Sequence, residues 1–117
     1  MLETQIKKYK LGVIAPRSAK LESIIDVLTP KKANIGHIYT NDAEDGGHHV
    51  ITFCLSEKIP FTVYPIRHIA GGVMPSNAAI IKSTDFVYIL DEGQSGNTKL
   101  AERECEKQNR KYKIVKI

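Results

Sequence analysis

Five short apolar runs of strand type recur along the chain, and the first four each lead through a loop into a helix-type stretch; this alternation limits the fold more than any other feature. Leu11-Gly12-Val13-Ile14-Ala15 is continuously apolar, stops at Pro16 and reads as a buried strand. Leu21, Ile24, Ile25 and Leu28 then follow at i, i+3, i+4 and i+7, the stripe of an amphipathic helix, with Ser18 as its expected N-cap and Pro30 as its stop. Residues 34–39 form a weaker strand, interrupted by Gly36 and His37. Residues 40–47 are polar and read as a loop, and 48–58 carry Val50, Ile51, Phe53, Cys54 and Leu55 on a helix. Phe61-Thr62-Val63-Tyr64 is the third strand. Residues 66–76 read as a long loop through Ala70-Gly71-Gly72 and Met74-Pro75, followed by a short helix over 77–82. The clearest strand is 85–90; a polar turn, a helix over 98–108 and a last strand over 112–115 complete the chain.

Strand–helix alternation means right-handed βαβ crossovers and parallel neighbours. The expectation is an α/β domain of three layers, a doubly wound parallel sheet of about five strands in the order 3-2-1-4-5, with the Val13 strand central and beside the strand over 86–90. A chain of 117 residues supports one such domain, with no room for a second core. Ligands of these sheets bind beyond the carboxyl ends of the strands, where the strand order reverses. The loops rich in glycine, acids and small hydroxyls all fall there, after strands and before helices.

Several classes are disfavoured. No apolar run approaches the roughly 20 residues of a membrane span. Met1 to Lys8 lacks the apolar core of a signal peptide, so a cytoplasmic protein is expected. Cys54 and Cys105 fall in helices among core-type neighbours and read as buried free thiols rather than a disulfide or redox pair. The net charge of +4, with lysines and arginines gathered at both ends, permits anionic ligands without demanding them. Nucleic acid is therefore a possible but not favoured partner.

Three segments carry candidate chemistry. Gly93-Gln94-Ser95-Gly96-Asn97-Thr98 lies between the best strand and a helix. Its glycines allow close backbone approach, the helix start offers N–H groups to an anion, and Ser95 and Thr98 offer hydroxyls. A plain turn with Ser95, Asn97 or Thr98 as N-cap fits equally. The ending of a P-loop is absent. Asp42-Ala43-Glu44-Asp45-Gly46-Gly47-His48-His49 brings carboxylates beside histidines, but adjacent histidines on a helix point about 100° apart and rarely share one ion. Helix capping, or ligand contact through Gly46, Gly47 or His48, fits better than a metal, and no cofactor is expected. In Ala15-Pro16-Arg17-Ser18 the guanidinium of Arg17 opposes the dipole of the following helix, which favours anion binding over a purely structural role. His37 and His68 stand alone and read as surface or satisfied polar groups.

The order of these segments resembles the SLOG superfamily, a Rossmann-like group that includes the lonely-guy phosphoribohydrolases and the DNA-processing protein Smf; the small YspA-like branch is the nearest in form. Ala15-Pro16-Arg17 is similar to that branch's Gly-x-Arg turn, and Gly46-Gly47-His48 to its Gly-x-Asp helix start. Ser76-Asn77 stands where the branch has Arg-Asn, and Ser95-Gly96-Asn97-Thr98 is similar to its phosphate loop. The likeness covers roughly residues 10–117 and is best over 77–115. It implies a nucleotide-like, phosphate-bearing ligand contacted by Arg17, Ser18, Gly46, Gly47, His48, Asn77, Asp91, Ser95, Gly96, Asn97 and Thr98. Hydrolytic members pair an Arg with a Glu. Glu102 stands four residues after Thr98 in the place of that Glu, and the Arg is Ser76 here. A sensor or sequestering domain is the leading expectation. A nucleoside-monophosphate hydrolase using Glu102, with Asp91 or Glu92, comes second, and a nucleic-acid-binding module third. Association into a homo-oligomer is expected.

Overall fold

Every strand-type run forms a strand in the computed structural model, which describes residues 8–66, 73–93 and 96–117. The strands are β1 (Tyr9–Ile14), β2 (Ile35–Asn41), β3 (Phe61–Tyr64), β4 (Phe86–Asp91) and β5 (Lys111–Lys116). The helices are α1 (Leu21–Leu28), α2 (Glu44–Glu57), α3 (Val73–Ser83) and α4 (Gly96–Lys107). One sheet of five strands runs in the order β3-β2-β1-β4-β5, and every neighbouring pair is parallel. The domain is thus α/β and Rossmann-like, and β1 pairs with β4 in the register Val13↔Tyr88. Among the described residues no helix is long and apolar enough to cross a membrane.

The pleat sorts the core into two halves. Leu11, Val13 and Ala15 point to one face with Ile38, Tyr88 and Leu90, where Ile24 and Leu28 of α1 and Val50, Phe53 and Cys54 of α2 cover them. Ile14, Val87 and Ile89 point to the other face with Ile80 and Ile81 of α3 and Ala101 and Cys105 of α4. That division follows from chain order. Right-handed crossovers moving outward through β2 and β3 place α1 and α2 on one face; reversal to β4 and β5 places α3 and α4 on the other. An eight-residue helix such as α1 is marginal alone. Burial of Ile24 and Leu28, each about 1.5–3 kcal/mol, is what holds it. Gly12 lets α3 sit close, since a Cβ there would lie 2.9 Å from Ile80 Cγ2.

Four local readings are corrected. Ser18 is not the N-cap of α1; Lys20 occupies that position without a side-chain cap, and the Ser18 hydroxyl donates to Glu92 Oε1 at 2.6 Å. Residues 40–47 are not a loop. Thr40 and Asn41 finish β2, and α2 starts at Glu44. The polar character of Thr40 concealed a strand position, where its hydroxyl donates to the Val13 carbonyl at 2.8 Å beyond the last β1–β2 register pair, Gly12↔Tyr39. The third helix starts at Val73 rather than residue 77, because a proline at the third helical position lacks only an N–H that has no partner in a first turn. Residues 34–39 extend to 41 as a strand despite Gly36 and His37, with His37 Nε2 2.8 Å from Thr62 Oγ1 on β3.

Candidate functional site

The strand order reverses between β1 and β4, and a cleft opens there at their carboxyl ends. Ile14, Ala15, Pro16 and Arg17 line it from β1 and its loop, Ile89 and Leu90 from β4. Asn41 and Ala43 line it from the end of β2 and the start of α2, and Asn77 and Thr98 from the N-terminal halves of α3 and α4. Helix N-termini carry partial positive charge, so the starts of α2 and α4 at the cleft favour an anionic or electron-rich group. The cleft's room for water is small, about 30 Å³, where one water needs about 10–15 Å³. Counted with the open solvent at its mouth, the space free of protein atoms is about 410 Å³.

Hydrogen bonds tie the loops around the cleft together. The Gly46 N–H donates to the Arg17 carbonyl at 3.0 Å, and His49 Nδ1 lies 2.9 Å from the Ala19 carbonyl and must carry the proton. A Cβ on Gly46 would fall 1.8 Å from the Pro16 carbonyl oxygen, and one on Gly47 would fall 2.4 Å from that of Asn41. Gly46 lets the first turn of α2 press onto the β1–α1 loop, and Gly47 lets it press onto the end of β2; neither is among the lining residues. On the floor, Asn41 Nδ2 donates to Asn77 Oδ1 at 3.2 Å and Asn41 Oδ1 accepts the Ala43 N–H at 3.1 Å. Asn41 and Asn77 are 2% and 1% exposed, so the pair is a satisfied buried amide network. Asp42 Oδ1 accepts the Ile66 N–H at 2.8 Å and so anchors the chain leaving β3.

At the β4–α4 turn, Asp91 Oδ1 accepts from the Gly93 N–H at 2.9 Å and from the Thr98 hydroxyl at 3.0 Å. Gly93 has φ +91°, a backbone conformation that glycine adopts at no steric cost. Asp91 therefore organises the turn, and Thr98 spends its proton on Asp91 rather than holding it for a phosphate oxygen.

The structure brings Arg17, Asn77 and Thr98 to the cleft, with Ser18, Glu92 and Asp91 linked to it through the bonds just described. His48 is exposed on α2 and does not line the cleft. Gly96 and Asn97 open α4, and Ser95 and His68 lie outside the described residues. Glu102 is held elsewhere: the Tyr112 phenol of β5, at 2.8 Å from Glu102 Oε2 and 2.9 Å from Glu106 Oε2, shares its one proton between them. Those two bonds hold the Tyr112 pKa well above the ordinary phenol value. Burial, then the Lys10 charge, holds the His37 pKa below the usual imidazole value. Among the described residues no three His, Cys, Asp or Glu side chains gather as a metal site. Asn41 was not singled out as a functional residue; the signal for it was a polar pair, Thr40-Asn41, placed directly after a strand run.

No family model, no curated protein and no solved structure matches this chain.

Proposed function

We propose that this domain binds a small phosphate-bearing, nucleotide-like molecule in the cleft between β1 and β4, as a sensor or sequestering protein and without turnover. The observation that carries the reading is the convergence of Arg17, Asn41, Asn77 and Thr98, drawn from β1, β2, α3 and α4, on one cleft at the point of strand reversal. The resemblance of the segments to SLOG domains points the same way. Binding without hydrolysis is supported by the position of Glu102, which is engaged by Tyr112 and absent from the cleft lining.

Calorimetry tests this. Titration with the four ribonucleoside monophosphates is expected to give heat for at least one. Arg17→Ala should weaken that binding about tenfold, since a charge-assisted bond contributes about 1.5–3 kcal/mol. Lys31→Ala, an exposed change in the 3-10 turn Thr29–Asn34, should leave it unchanged. Absence of heat with all four overturns the reading.

A further inference from the structure

The two edges of the sheet differ in kind. β5 forms one, and its Lys111, Lys113 and Lys116 are exposed, the usual guard of a free edge. β3 forms the other, and Phe61-Thr62-Val63-Tyr64 carries no charge. Among the described residues no strand pairs with its outer side. The Pro60 carbonyl accepts the Ile38 N–H of β2 at 2.9 Å. Backbone groups of alternate residues in a parallel strand face the same side, so Thr62 and Tyr64 also face β2. Phe61 and Val63 therefore turn both N–H and C=O outward. Pro60 and Pro65 bracket the strand, and Pro65 has no N–H to extend the ladder. Apolar surface flanks this edge. Phe61 packs on the α1–α2 half of the core with Val63 on the same side of the pleat, and both are only partly buried. His49 and Glu57 of α2 bond Ala19 and Lys32 on the α1 side. Ile51 and Leu55 lie half a turn round the helix, on the flank over β3, and Leu55 is 66% exposed.

We infer that the β3 edge is the docking site for a second copy of this chain, the two β3 strands pairing antiparallel about a two-fold axis at Thr62. In that register Phe61 stands opposite Val63 of the partner subunit, and each such pair exchanges both its hydrogen bonds. The outward groups of Phe61 and Val63 are thereby all used. The side chains agree. Phenylalanine faces valine beneath α2, and Thr62 faces Thr62 of the partner subunit on the opposite face, both favourable cross-strand pairs. A charge-free edge lets two copies meet without repulsion, whereas the lysines of two β5 edges would repel. Ile51 and Leu55 close over the seam against the same residues of the copy. The pairing is isologous, so it consumes the one unguarded edge and stops at two chains.

Light scattering on the whole chain across a dilution series tests this, with an expected mass of twice 13.1 kDa that falls toward the monomer on dilution. Val63→Pro removes an N–H that faces away from β2, a change that an edge strand tolerates, and takes two hydrogen bonds from the dimer. It should weaken association about tenfold or more. Thr62 takes the close, non-hydrogen-bonded position, about 4.5 Å from its copy between Cα atoms and within reach of a disulfide. Thr62→Cys should therefore give a disulfide-linked dimer with oxidised glutathione, while Lys113→Cys on the β5 edge should not; the native Cys54 and Cys105 are buried. A monomer even at millimolar concentration overturns the inference. So does an association that Val63→Pro leaves unchanged, a Lys113→Cys chain that cross-links as readily as Thr62→Cys, or a species larger than two chains. Should Val63→Pro fail to fold, the two cysteine variants decide.

Discussion

The side-chain amide of Asn41 donates to Asn77 Oδ1 at 3.2 Å, joining the end of β2 to the first turns of α3 beneath the cleft. Asn77→Ala removes the acceptor and leaves a buried donor unsatisfied, a loss of about 1–3 kcal/mol. The urea midpoint should fall accordingly, with an unchanged m-value. A midpoint equal to wild type would mean that water replaces the bond without cost.

Two glycines separate steric clash from backbone strain. Gly46→Ala drives a methyl group against the Pro16 carbonyl oxygen, inside any van der Waals contact, and should cost about 3 kcal/mol or more. Gly93→Ala meets nothing within 4 Å and carries only the positive φ, so about 1–2 kcal/mol is expected. Thermal melts of the two variants check the order. Gly93→Ala as the more damaging of the two would contradict the packing described here.

Alkaline stability has a defined sign. Burial pushes the Cys54 thiol up to about 12, and burial with the nearby Glu104 charge pushes Cys105 up to about 11. Tyr112 is raised by its bonds to Glu102 and Glu106. In each case the folded state holds its proton more tightly than the unfolded state. Their contribution is therefore complete below the unfolded values and is lost as pH rises through the folded ones. Urea midpoints should decline from about pH 9 upward, where unfolded thiols ionise. A Cys54→Ala, Cys105→Ala double variant should show a shallower decline, and an unaltered slope would count against burial as the cause.

The same thiols should resist alkylation. At pH 8 a neutral alkylating reagent is expected to label neither cysteine in the native protein and both in urea, because the nucleophile is the thiolate and both side chains are buried. Cys54 belongs to the α1–α2 half of the core and Cys105 to the α3–α4 half, with the sheet between them. Oxidation should accordingly yield no intramolecular disulfide, which mass spectrometry of the intact protein would detect.

Incubation with the ribonucleoside monophosphates should release no free base, as read by chromatography. Release by wild type that is abolished in Glu102→Gln would replace the binding reading with the hydrolytic one.

The parallel sheet and its order were legible because hydrophobic period survives without knowledge of contacts: Val13, Val87 and Ile89 sit in apolar runs too short for helices. The two core thiols were legible for the same reason. What the sequence hid was the dual role of short polar residues. Thr40 and Asn41 look like loop residues, but they belong to a strand whose polar carboxyl end bonds the Val13 carbonyl and the Asn77 side chain. Ser18 looks like an N-cap, yet its partner is Glu92, 74 residues away, which no local pattern discloses. Gly46 and Gly47 suggested a ligand loop. Their need for glycine comes instead from the Pro16 and Asn41 carbonyls, which only the folded chain brings near.

The pairing of β1 with β4 has a consequence for how the molecule comes into being. Lys10 and Asp85, bonded at the foot of this pair, stand 75 residues apart in the chain. As the protein leaves the ribosome, β1 can find β2 early, but its other edge stays bare until most of the polypeptide has emerged. Those unpaired amides and carbonyls belong to the strand that becomes most central, and a bare edge is an invitation to pair with a foreign chain. Closing so long a loop is also slow on the scale set by contact order. Fragments ending before Phe86 should therefore aggregate rather than fold, and slow translation would lengthen the exposure.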